Sequence, residues 1–275
     1  MCGIVGIVRP HGQVQQDDVR AMANQIVHRG PDGEGYYAHQ AVGLGHRRLS
    51  IIDPTLGHQP MYLPERNLAI VYNGELYNFR EIRKALEQKG HQFATQSDTE
   101  VVLHAYLEWG TACVKHFRGM FAFAIDDPEN HRVFIARDPL GIKPLYLYQT
   151  TDGLYFASEI QALSTLPKFD DALDAEAMDA YLKYQYIPQP STVFQRVSSL
   201  LPGHLCVVNT QDGNKHTERY WSVRYQPQAL SEADWLEKLE EAFKASVEAH
   251  LVSDVPFGAF LSGGVDSTLV VSYMV

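Results

Sequence analysis

The sequence predicts an α+β protein whose strands come in runs, followed by the opening of an α/β unit. Three observations carry this. Short apolar segments rich in Val, Ile, Leu, Phe and Tyr, bounded by Gly, Pro, Asn or Asp, recur through the first 210 residues. Helical periodicity is confined to a few stretches set apart from them, which argues against strict βαβ alternation. After Leu201-Pro202-Gly203 the pattern changes to a long amphipathic helix, an apolar segment and a glycine turn.

Taken in order, residues 2–8, 42–52, 68–72, 120–125, 133–136, 145–148, 154–157 and 205–208 read as strands. Residues 17–27, 79–89 and 98–109 read as helices. In the last, Val101, Val102, Ala105, Tyr106 and Trp109 recur at helical spacing behind a Ser97-Asp98-Thr99-Glu100 start with capping character. Pro188, Pro190, Ser191 and Thr192 mark an irregular stretch, and Gln211-Asp212-Gly213-Asn214 a turn. Residues 233–251 follow as a helix with Trp235, Leu236, Leu239, Phe243 and Val247 on one side. Residues 257–261 then read as a buried strand, 262–267 as a glycine turn and the rest as the first turns of a helix. One strand and one helix cannot close a doubly wound sheet. The expectation is a division into 2–210 and 211–275, the second unit being only the beginning of a domain.

Bulk properties exclude several classes. A net charge of −10 argues against a broad nucleic-acid surface. No apolar run approaches the roughly 20 residues of a membrane span, and the start lacks a secretory signal pattern, so a cytoplasmic protein is expected. Cys2, Cys113 and Cys206 are odd in number and without CxxC spacing, and the 12 His show no HExxH, so neither a disulfide framework nor structural zinc is suggested.

Chemistry begins at residue 2. Loss of Met1 would leave Cys2 with a free α-amine, pairing a nucleophile with a base whose pKa lies at about 7.7–8.0. The plain alternative is a buried Cys opening a strand. Asn73-Gly74 reads alone as a hairpin turn or as a pair of hydrogen-bond donors, and Asp98 as a helix cap or a binding carboxylate. Ser262-Gly263-Gly264-Val265-Asp266-Ser267 is an everyday turn or a phosphate cradle; it lacks the Walker A spacing and Lys.

Taken together, Met1-Cys2-Gly3-Ile4, His28-Arg29-Gly30-Pro31-Asp32, Arg48-Leu49-Ser50-Ile51, Asn73-Gly74-Glu75-Leu76-Tyr77-Asn78, Ser97-Asp98 and Arg137-Asp138-Pro139-Leu140-Gly141 resemble the ordered motifs of class II glutamine amidotransferases, in the N-terminal nucleophile hydrolase superfamily. With the 262–267 loop behind them, the chain is most similar within that class to the glutamine-hydrolysing asparagine synthetase family. The resemblance covers nearly the whole sequence and implies a four-layer αββα sandwich.

It also implies roles. Cys2 would be the nucleophile, and the Asn73 side-chain amide and Gly74 N–H the oxyanion hole. Arg48 would grip the α-carboxylate of glutamine, with Arg47 a bystander. Asp98 and Glu75 would receive its α-ammonium, and Leu49, Ile51 and Ile52 would line the pocket. His28 is expected to make structural hydrogen bonds. Leu261, Ser262, Gly263, Gly264, Asp266 and Ser267 would belong to an ATP site, Leu261 beside adenine and Asp266 near Mg²⁺. ATP, Mg²⁺ and aspartate would serve the intact enzyme, no cofactor would be needed for glutamine hydrolysis, and the assembly would be a homodimer. The rival readings are a related amidotransferase aminating another carboxylate, on a peptide or polysaccharide, and a non-catalytic interaction fragment that keeps the fold and Met1.

Overall fold

The structure, a computed structural model, describes residues 1–256 and 258–274. Its strands are β1 (Gly3–Val8), β2 (Gly33–His39), β3 (Val42–Arg48), β4 (Met61–Leu63), β5 (Leu68–Leu76) and β6 (Gly119–Asp127), then β7 (Arg132–Arg137), β8 (Tyr146–Gln149), β9 (Leu154–Ala157), β10 (Val197–Ser199), β11 (His204–Asn209) and β12 (Lys215–Arg219). The helices are α1 (Gln16–Ala23), α2 (Phe79–Glu87), α3 (Asp98–Trp109), α4 (Ile160–Leu163), α5 (Ala175–Tyr184), α6 (Glu232–His250) and α7 (Val265–Ser272).

Two six-stranded antiparallel sheets result, ordered β10-β8-β9-β1-β3-β2 and β12-β11-β7-β6-β5-β4. Strand alternation builds the layers. Ile4 and Val8 of β1 face inward and meet Val71, Ala124 and Ile135 of the other sheet, while Val5 and Ile7 face outward onto Val19 and Met22 of α1. On the opposite side, Ile70 and Tyr72 of β5 pack outward against Phe79 and Ile82 of α2 and Val102 and Tyr106 of α3. The order is therefore helix, sheet, sheet, helix: the expected four-layer sandwich. β1 is buried on both faces, which explains its unbroken apolar sequence.

Several boundaries differ from the sequence reading. The strand expected at 42–52 ends at Arg48, where the chain turns away to form a loop. The helix expected at 17–27 is α1 followed by a 3₁₀ segment, Asn24–Arg29. β5 runs through Asn73-Gly74, so this pair is not a hairpin turn; pairing of Gly74 with Phe121 of β6 overrides the local turn preference. The expected division at 210/211 falls within a hairpin, because β12 pairs with β11 and carries its sheet to Arg219. Phe257 of the strand expected at 257–261 lies outside the described residues. The remainder, 258–261, is exposed coil: among the described residues no strand pairs with it, so its backbone groups are left to water.

Candidate functional site

β1 begins at Gly3 and pairs with Arg47 of β3, so Cys2 stands at the strand's open end beside Leu49. The thiol accepts the Leu49 N–H at 3.3 Å and donates to the Leu49 carbonyl at 3.5 Å. Arg29 Nε donates to the Cys2 carbonyl at 2.9 Å, and Glu159 holds Arg29 Nη1 and His28 Nε2, each at 2.9 Å. His28 is thus a hydrogen-bonding support. Burial pushes the Cys2 thiol up; the Leu49 N–H, the terminal amine, Lys143 and Arg48 pull it back. Burial likewise lowers the terminal amine, which in this chain is that of Met1.

One narrow cavity of about 60 Å³ collects the expected residues: Cys2, Arg48, Leu49, Ile51, Ile52, Asn73, Gly74, Glu75 and Asp98 all line it. Met1, Gln59, Tyr72 and Lys143 line it as well, and sequence reasoning assigned none of them a role.

Hydrogen-bond parity along β5 explains the donors. The N–H and C=O of Phe121 both bond Asp138, on the side away from β5, at 3.2 and 2.8 Å. Opposite it, Gly74 therefore sits at a non-hydrogen-bonded position of the β5–β6 ladder and directs its N–H to the far edge. β4 covers that edge only as far as Ile70. Beyond it, Gln59 Oε1 accepts the Tyr72 N–H at 2.6 Å and Asp98 Oδ2 the Leu76 N–H at 3.0 Å. Between those two, the Gly74 N–H points into the cavity. Only glycine fits, since a Cβ would meet Met120 O at 2.4 Å and Phe121 Cα at 2.8 Å. Next to it Asn73 is 1% exposed, and its Nδ2 has no hydrogen-bond partner. A buried amide donor left unpaired costs free energy.

Arg48 is buried and spends three donor contacts on its own loop: Nη1 to Pro54 O at 3.0 Å, Nη2 to Ile52 O at 3.2 Å and to Asp53 O at 2.6 Å. A guanidinium has five N–H groups, so donors remain for a ligand. Gly57 permits this packing, a Cβ there lying 2.5 Å from Nη2. Arg47 instead bonds Ala23 O, Asn24 and Glu34, tying β3 to the end of α1 and to β2. Ser97, not Asp98, caps α3, accepting the Thr99 N–H at 3.2 Å. Burial raises the Asp98 carboxyl to about 6 and also raises Glu75, which Lys143 and His250 partly offset.

The C-terminal loop stands apart and exposed. Ser262 Oγ and Ser267 Oγ lie 2.9 Å apart, and Ser267 Oγ donates to Gly264 O at 3.1 Å. Gly264 caps α7 without a side-chain bond, its N–H donating to Ser262 Oγ at 3.5 Å, and a Cβ on Gly263 (φ 81°) would meet nothing within 4 Å. Leu261, expected beside adenine, is 60% exposed. Asp266 is a single carboxylate, and no cluster of three metal-ligating side chains occurs among the described residues. Mg²⁺ commonly takes one or two carboxylates plus phosphate oxygens.

Comparison with known proteins identifies the family. Residues 1–221 match the glutamine amidotransferase domain family and 238–275 the asparagine synthase family. Glutamine-hydrolyzing asparagine synthetase 1 of Bacillus subtilis (strain 168) is 41% identical over 99% of this chain and 43% of its own length. Asparagine synthetase 3 of the same organism is 36% identical over 98% and 44%, and putative asparagine synthetase 2 of Methanocaldococcus jannaschii 33% over 100% and 57%. The chain thus spans between 43% and 57% of these relatives. Among solved structures, glutamine phosphoribosylpyrophosphate amidotransferase from B. subtilis superposes with a TM-score of 0.60 over 80% of this chain and 49% of that one, at 21% identity, a likeness of fold.

Proposed function

The chain belongs to the glutamine amidotransferase domain family, and from that premise we propose that it hydrolyses the side-chain amide of glutamine with Cys2 as nucleophile, once Met1 has been removed. One observation carries the reading: the buried, unpartnered Asn73 amide and the Gly74 N–H converge on the cavity that holds the Cys2 sulfur. That is the pair of donors a tetrahedral oxyanion needs.

The Cys2 α-amine takes the thiol proton as Sγ attacks the δ-carbon, the carbonyl electrons move to an oxyanion between Asn73 Nδ2 and Gly74 N, and the resulting ammonium gives that proton to the leaving nitrogen. Ammonia departs and a thioester remains. The same amine, now neutral, takes a proton from water as that water attacks; glutamate leaves and the thiolate returns. Arg48 receives the α-carboxylate with its remaining donors. Asp98 and Glu75 receive the α-ammonium, and Leu49, Ile51 and Ile52 wall the side chain.

For the whole protein we propose ATP-dependent amination of aspartate to asparagine in the cytoplasm. Ser262, Gly263, Gly264, Asp266 and Ser267 would hold the pyrophosphate of ATP and Leu261 would lie beside adenine; Asp266 would be the carboxylate offered to Mg²⁺, which would offset phosphate charge there. We place the division between the two units after Trp221, where the first family match ends.

The test is glutamate release from glutamine without ATP, using protein shown by intact mass to start at Cys2, beside Cys2→Ala. Release abolished by the substitution is the expected result. Equal release by both proteins would sink the assignment. No release by the folded, processed protein would favour a non-catalytic fragment.

A further inference from the structure

The Arg137-Asp138 motif touches no part of the expected substrate, yet it is among the most heavily bonded features of the fold. Asp138 is fully buried and accepts four backbone N–H groups: Phe121 at 3.2 Å, Leu140 at 3.1 Å, Ile142 at 2.9 Å and Lys143 at 3.0 Å. Arg137 Nε donates to Lys143 O at 2.7 Å and Nη2 to Gly141 O at 2.8 Å, while Nη1 anchors the turn to Leu200 O at 2.6 Å. The backbone of Lys143 is therefore clamped at both its N–H and its carbonyl, and its side chain lines the Cys2 cavity.

Lys143 is 4% exposed. Among the described residues its ammonium forms no ion pair; Nζ contacts Met1 Sδ at 3.5 Å. A buried cation without an adjacent anion is destabilising, and its polar contact is with the residue that processing removes. What then shares the cavity with it is the sulfur and the freed amine of Cys2. The other charged groups around them are Glu75 on β5, Arg48 on β3, Arg29 at the end of the 3₁₀ segment after α1, Asp32 beyond it, Asp138, and His250 on α6.

We propose that Lys143 is a positioning residue of this site: its clamped ammonium favours the thiolate of Cys2, so that the nucleophile forms readily near neutral pH. A nearby cation favours an anion, and the test reads that effect on the sulfur alone. Burial lowers the Lys143 ammonium itself, and Glu75 partly counters that. The proposal deepens the glutaminase reading and rests on it for its consequence, but its test needs no turnover.

Processed protein is alkylated with iodoacetamide from about pH 5 to about pH 10, and modification at Cys2 is followed by peptide mass. Cys113 and Cys206 are buried and serve as internal controls. Lys143→Met is expected to raise the alkylation midpoint by at least about half a pH unit, and Lys143→Arg to keep it near the parent value. An unchanged midpoint in Lys143→Met, or the same rise in Lys143→Arg, would overturn the proposal. Should Lys143→Met not fold, Lys143→Gln is judged by the same criterion. Because the readout is thiol ionisation, a protein without glutaminase activity but with the expected shifts would refute the activity and leave the electrostatic role standing.

Discussion

Asp98 carries an acid–base signature that glutamine turnover should report. Burial raises its carboxyl to about 6, so below that pH the free protein holds it neutral and the α-ammonium of a substrate loses its counter-charge. We expect kcat/KM for glutamine to fall as pH drops through about 6, and Asp98→Asn to raise KM and flatten that limb. Initial rates at low glutamine check this; an identical limb in Asp98→Asn would assign it elsewhere. The stability sense is opposite. The folded carboxyl lies above its unfolded value, so Asp98's contribution is present below the unfolded pKa and is lost as pH rises through about 6. That Asp98 and the other expected residues share one cavity was legible from the ordered motifs that carry the family resemblance. Lys143 was not: a lysine six positions beyond Arg137 looks like any loop cation, and only the Asp138 and Arg137 clamp shows where its side chain is sent.

At the scale of elements, the edge of β5 is where sequence and structure part. Asn-Gly is a strong local turn signal, but the β6 ladder holds one side of the pair, and Gln59 and Asp98 hold the N–H groups flanking Gly74 on the other. The tertiary partners are 13 and 22 residues away, beyond any local reading. The apolar cores of β1, β6 and β7 were legible because burial on both faces writes itself as a continuous apolar run. β12, exposed throughout, left no such trace, and 258–261 carried the apolar trace without neighbours to pair with. Gly74→Ala tests the β5–β6 fit. Its methyl would enter the backbone of β6 at Met120 and Phe121, so the strand must shift, at about 1–3 kcal/mol. A urea midpoint lowered accordingly, with glutaminase activity lost because the Gly74 N–H moves, is the expected outcome; unchanged stability would mean that β6 yields freely.

On the scale of the whole molecule, the sandwich and the segment behind it are held together very differently. Residues 222–231 run without helix or strand, and Tyr225 is 92% exposed. Beyond them α6 leaves Leu236 and Leu239 largely exposed and buries Val247. Its end and the residues after it nevertheless touch the elements that border the Cys2 cavity. Tyr77 and His250 hydrogen-bond at 2.8 Å, the Asp254 N–H donates to Ile51 O at 3.0 Å, and the Asp53 N–H donates to Asp254 Oδ2 at 2.8 Å. The loop thus pinned is the one whose carbonyls hold Arg48. Brief trypsin treatment should therefore cut first after Arg224, which lies in the exposed stretch. A protein ending at Trp221 should keep the unfolding temperature of the sandwich, because both sheets and their helix layers lie within it. Its KM for glutamine should rise several-fold while kcat changes little, since the 51–54 loop loses its Asp254 bonds but Cys2, Asn73 and Gly74 lose nothing. If kcat fell and KM held, the segment would be acting on the nucleophile, and its path would run through His250 and Glu75 to Lys143.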